Sequence, residues 1–88
     1  MNTDESPLTF PCDFPIKAMG RKGGALEHVV MDIMRRHVGD ITECTVQVRE
    51  SKGGNYLSMT VTFRAESRAQ LDAIYQELSD CEEVLMAL

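Results

Sequence analysis

The residues best equipped for chemistry are Cys12, Cys44, Cys81, His28 and His37, together with a basic, glycine-rich stretch, Gly20-Arg21-Lys22-Gly23-Gly24. The cysteines lie far apart, form no CxxC pair and have no histidine at metal-ligand spacing, so the sequence encodes neither a zinc site nor a thioredoxin-like motif. Their odd number argues against a closed disulfide framework, and reduced thiols in the cytosol are the expected setting. Cys44 reads as a core residue, and no base stands near Cys12 or Cys81 to activate a thiolate. His37 falls on the apolar stripe of a helix and His28 at its edge, with no nucleophile and carboxylate to complete a triad. Packing or capping is their expected role, and no catalytic residue, metal or cofactor is expected.

The basic stretch offers a different chemistry. Gly23 and Gly24 open a helix, whose free N–H groups and positive dipole end suit a carboxylate or phosphate. Arg21 and Lys22 flank that end, and Lys52 reaches it from a neighbouring hairpin. The candidate ligand-binding set is therefore Gly20, Arg21, Lys22, Gly23, Gly24 and Lys52. GRKGG lacks the length and the terminal Lys-Ser/Thr of a P-loop, and Asp80, Glu82 and Glu83 are placed to neutralise the bases. A solvated turn is the plainer reading.

The elements that must position these residues follow from periodicity. Phe14 to Met19 alternate loosely after Pro11 and Pro15 and read as a first strand, which the glycines from Gly20 onward should stop. Leu26, Val29, Val30, Ile33, Met34 and His37 then recur at helical spacing, and Gly39 ends that helix. Ile41 to Glu50 is strand-like, with Cys44, Val46 and Val48 expected inward. Ser51-Lys52-Gly53-Gly54-Asn55 marks a hairpin, and Tyr56 to Ala65 follows with Leu57, Met59, Val61 and Phe63 inward. Ser67-Arg68-Ala69-Gln70 has capping-box spacing and opens a second helix carrying Leu71, Ile74, Tyr75 and Leu78. Ser79-Asp80 should break it, leaving Glu83 to Leu88 as a last strand. The methionines mostly interleave with these apolar positions and read as core filling; Met31 lies off the main stripe.

The order βαββαβ closes into one antiparallel sheet, strand order 4132, with both helices on one face. That is an α+β, ferredoxin-like sandwich. Residues 1–9 are polar and aperiodic and read as a flexible arm, with a single domain over residues 10–88. The chain has 88 residues, fourteen acids against nine bases and a net charge of −5. So short a chain leaves little room for a large enclosed substrate site, and its acidity disfavours nonspecific binding to nucleic acid or anionic membrane. No apolar run approaches the ~20 residues that span a bilayer. The acidic N-terminus lacks the features of a secretory signal, so a cytoplasmic setting is expected. Tyr56 on an open sheet face has the position of a base-stacking aromatic in RNA-recognition folds. Its outward neighbours are hydroxyls and Lys17, which makes RNA a poor fit.

Phe10-Pro11, Phe14, Lys17, Met19-Gly20, Ser51 to Tyr56 with Ser58, Tyr75-x-Glu77-Leu78 and Val84-x-Met86-x-Leu88 together resemble the YbeD-like family of small bacterial proteins, from about Phe10 to Leu88. The resemblance implies a fold like the ACT-type regulatory domains, which tend to bind effectors near the first strand–helix loop, and a link to lipoate metabolism. It implies no catalytic residues. The basic loop after Gly20 and the Gly53-Gly54 pair depart from the namesake's pattern. The expected function is non-enzymatic regulation or adaptation, through a protein partner or self-association by an edge strand, the Thr-rich sheet face or the helix layer. The alternative is a sensor that binds a small anionic metabolite, a carboxylate or a phosphate, at the basic end.

Overall fold

The computed structural model describes residues 8–88. Most of the arm expected over residues 1–9 lies outside them. Strand β1 (Cys12–Arg21) leads to helix α1 (Leu26–Val38), a 3-10 turn (Ile41–Glu43), β2 (Thr45–Glu50), β3 (Tyr56–Ala65), α2 (Arg68–Asp80) and a short β4 (Met86–Ala87). The sheet order is β2-β3-β1-β4 with every pair antiparallel. Read from the other edge this is the expected 4132 arrangement, and the fold is ferredoxin-like.

Alternation decides which side chains face the helices. Ile16 pairs with Val61 and Ala18 with Met59, and all four are buried beside Val30, Met34, Ile74 and Leu78 from the helices. Burying each of the larger of these side chains stabilises by roughly 1.5–3 kcal/mol. Among the described residues no polar side chain is buried.

Helix α1 begins without a side-chain cap of its own and ends where Gly39, at φ +86°, donates its N–H to Arg35 O. Helix α2 starts at Ser67, whose hydroxyl accepts from Gln70 N–H at 3.1 Å. Gln70 bonds back one residue earlier than the capping box predicts, accepting from Glu66 N–H at 2.7 Å. Its amide also donates to His37 O at 2.9 Å, which ties the start of α2 to the end of α1.

The structure corrects the sequence reading in five places. Gly20 and Arg21 continue β1, opposite Leu57 and Tyr56. Ile41 to Glu43 form a 3-10 turn instead of strand, because Asp40 accepts from Thr42 N–H at 2.9 Å and bends the chain. Helix α2 runs through Ser79 and Asp80. The last strand shrinks to Met86–Ala87 because Glu83 is drawn across to α1. Finally, Val46 and Val48 are on the helix side yet remain 41% and 40% exposed, and Cys44 is only half-buried. The helices pack over β1, β3 and β4, so nothing comparable covers β2.

Candidate functional site

The basic end takes its shape from Glu83. Its carboxylate accepts from Ala25 N–H at 2.9 Å, so an internal anion serves the first turn of α1, where a free N–H and the dipole favour negative charge. Gly20 and Gly24 make room for this crossing. A Cβ on Gly20 would lie 2.6 Å from Glu83 O, and one on Gly24 would lie 2.7 Å from Glu83 Oε1.

Arg21, Lys22, Gly23 and Gly24 line an open groove of about 380 Å³ with Glu82, Glu83 and Leu85. Lys22 is engaged with Glu50 at 2.9 Å. Gly20 is buried beneath the groove, and Lys52 is exposed in the hairpin, outside the groove's lining. Thus four of the six expected residues share a groove, with two carboxylates among them. The cap supplied by Glu83, 58 residues from Ala25 in sequence, had no local signal.

Both histidines are engaged with carboxylates. His37 Nε2 meets Glu77 Oε2 at 2.6 Å, and Arg36 bonds the other oxygen. These two hydrogen bonds hold the Glu77 carboxyl below the usual glutamate range. His28 pairs with Asp32 at 3.2 Å on the exposed face of α1. Burial pushes the Cys44 thiol up, and the nearby Asp40 and Glu43 carboxylates add to the effect. A thiol so shifted is a poorer nucleophile at neutral pH. Among the described residues no group of His, Cys, Asp and Glu has the geometry to hold a metal ion. Another groove, of about 470 Å³, lies near the start of β2; Asp13, Asp40, Glu43 and Glu66 with Arg64 give it an acidic lining. No helix among the described residues is long and apolar enough to cross a membrane.

Two further surfaces follow from the strand registers. One is the free edge of β2. Ser51 N–H donates to Tyr56 O at 2.8 Å, extending the β2–β3 ladder. Antiparallel alternation then turns the N–H and C=O groups of Thr45, Gln47 and Arg49 toward β3 and those of Val46, Val48 and Glu50 outward. The same two valines present exposed side chains on the helix side. The other surface is the open sheet face, where Lys17, Gln47, Arg49, Ser58 and Thr60 line a shallow groove of about 240 Å³.

Known proteins similar to this chain are of comparable length. The UPF0250 protein NE1487 of Nitrosomonas europaea is 44% identical over 98% of this chain and 99% of its own length. A UPF0250 protein of Paraburkholderia phytofirmans is 42% identical over 89% of this chain and 88% of its own. The solution structure of HP0495 from H. pylori superposes with a TM-score of 0.74 at 16% identity, covering 100% of this chain and 94% of that one, which shows a shared fold. The model of the family described as Protein of unknown function (DUF493) matches residues 5–88. The resemblance to YbeD-like proteins is borne out, and the chain belongs to the DUF493 family of small proteins.

Proposed function

We propose that the protein is a non-enzymatic regulatory or adaptor domain that works by contact, accepting an extended segment of a protein partner at the free edge of β2. One observation carries this reading: the outward backbone groups of Val46, Val48 and Glu50 coincide with two exposed valine side chains on an edge strand. Strand addition draws affinity from main-chain hydrogen bonds and specificity from alternate side chains, and this edge offers both. Natural edge strands are commonly protected by charge, proline, a bulge or a covering element. Here the first four residues of the strand, Thr45-Val46-Gln47-Val48, carry no charge or proline, and charge is confined to Arg49 and Glu50 at its end.

A small-anion sensor at the basic end is less well supported, because Glu83 already serves the helix start. A cytoplasmic setting is part of the proposal and agrees with three free cysteines. A role in lipoate metabolism rests on the YbeD-like resemblance alone.

The test compares tagged wild-type and V46K/V48K baits in a quantified pull-down from cells, with a control of equal charge substituted on the exposed side of α2. The proposal expects reproducible partners of the wild type and of the α2 control that V46K/V48K loses. Equal recovery by all three baits contradicts it.

A further inference from the structure

The protein is acidic overall, yet the open face of its sheet is basic. The strand registers place Lys17, Arg21, Arg49 and Arg64 on that face, with Asp13 its only carboxylate among the described strand residues. Asp13 stands at the far end, 3.8 Å from Arg64. Of the five bases elsewhere, three are paired, Lys22 with Glu50, Arg35 with Asp32 and Arg36 with Glu77, while Lys52 and Arg68 have no ion-pair partner among the described residues. Lys17, Arg21 and Arg49 have no ion-pair partner among the described residues, although the chain has fourteen acids to supply one.

The groove between Lys17 and Arg49 is built from hydrogen-bond donors. Two cations, the Gln47 amide and the Ser58 and Thr60 hydroxyls line it, with no carboxylate among them. Beside it the face turns apolar. Met86 lies opposite Met19, and Leu88 exchanges backbone hydrogen bonds with Lys17 at 2.8 and 3.1 Å. Residues opposite one another in an antiparallel pair share a face, so Met19, Met86 and Leu88 lie on the same face as the groove, with Met86 and Leu88 on the β4 side of Lys17. Met86 and Leu88 are 52% and 63% exposed.

We infer that this open face is a second docking surface, whose occupant is a short acidic segment of a partner protein with apolar residues next to its carboxylates. Lys17 and Arg49 receive the carboxylates, with the amide and hydroxyls completing their hydrogen bonds. The apolar neighbours rest on Met19, Met86 and Leu88, where methionine adapts its shape to varied side chains.

Charge complementarity favours this occupant over nucleic acid. Single-stranded RNA needs aromatic platforms for its bases, and Tyr56 is the only aromatic on this face among the described residues. A long polyanion would also extend beyond the basic patch toward the acidic remainder of the molecule. A short segment stays over the face, within about a Debye length, ~8 Å, of its cations.

The probe is a synthetic peptide with adjacent glutamates followed by leucines, titrated against the full chain while amide NMR shifts are followed. The same peptide with lysines for glutamates and a short oligouridylate are run in parallel. Expected are shifts at Lys17, Gln47, Arg49, Ser58 and Thr60 with the acidic peptide, weakened by added salt. K17E/R49E should lower its affinity at least about tenfold while the remaining spectrum stays native. Tighter binding of oligouridylate, undiminished binding by K17E/R49E, or no shift with millimolar acidic peptide would each overturn the inference. V46K/V48K should bind the peptide like wild type, so this surface and the β2 edge are judged separately.

Discussion

Individual residues in this protein earn their positions by what crosses them. Gly20 is a glycine because the connection from α2 to β4 passes over it, with Glu83 O where a Cβ would be. Gly20→Ala should therefore destabilise the chain by about 1–3 kcal/mol through forced backbone displacement, measured as the shift in urea unfolding free energy. Glu83→Ala should cost ~1 kcal/mol by removing the distant cap of α1, and Glu83→Gln should recover most of it by keeping an acceptor oxygen.

Glu77 makes a pH-dependent contribution. Hydrogen bonds from Arg36 and His37 lower its folded pKa. Its contribution is therefore present above the ordinary glutamate value of about 4.3 and is lost as pH falls through the lower, folded value. Urea midpoints of wild type and Glu77→Gln should differ at neutral pH and converge in acid. A gap that stays constant down to strongly acid pH would show that the carboxylate charge contributes nothing.

At the scale of elements, the decisive asymmetry is between β2 and the strands beneath the helices. Strands β1 and β3 pair over ten positions, and both lie under the helix layer. Strand β2 pairs over six positions with β3 alone, and all six of its residues are exposed. Hydrogen exchange on the isolated protein should follow the ladder. The amides of Val46, Val48 and Glu50 should exchange quickly, and those of Gln47 and Arg49 more slowly. Uniform protection along the strand would mean that the free edge is already paired in solution.

Self-pairing of this edge has registers free of like-charge contacts. With two copies antiparallel about Gln47, Val46 lies opposite Val48 of the second copy and Thr45 opposite Arg49, so no like charges face each other. Centred on Arg49, the two guanidinium groups would collide. If the partner is a second copy, sedimentation should show association that rises with concentration and disappears in V46K/V48K. Those substitutions should leave monomer stability within about 0.5 kcal/mol, because the replaced side chains are solvent-exposed.

For the molecule as a whole, sequence periodicity was enough to read six elements and their order, because strands buried on one face and amphipathic helices leave strong alternating and helical patterns. Val46 and Val48 show where that reading stops. Alternation names the side of the sheet, but whether a helix covers that side depends on how far the layer extends, which no local pattern carries. The Glu83 cap was equally hidden, since it joins residues far apart in sequence through one carboxylate. At the basic end, the expected loop forms a groove, but Lys52 lies outside it and an internal anion serves the helix start. The basic open face became visible only when the strand registers brought Lys17 of β1 beside Arg49 of β2 across Ser58 and Thr60. An acidic total had concealed a segregated surface.

The free edge of β2 is the proposed site of partner contact. The most direct measurement is photo-crosslinking in living cells, with a benzophenone amino acid substituted singly at Val46, Val48 or, as a control on α2, Asp72. Strand addition predicts a discrete crosslinked product, to a partner or a second copy, from Val46 or Val48 and not from Asp72. Products from Asp72 alone, or from none of the three positions, would contradict it.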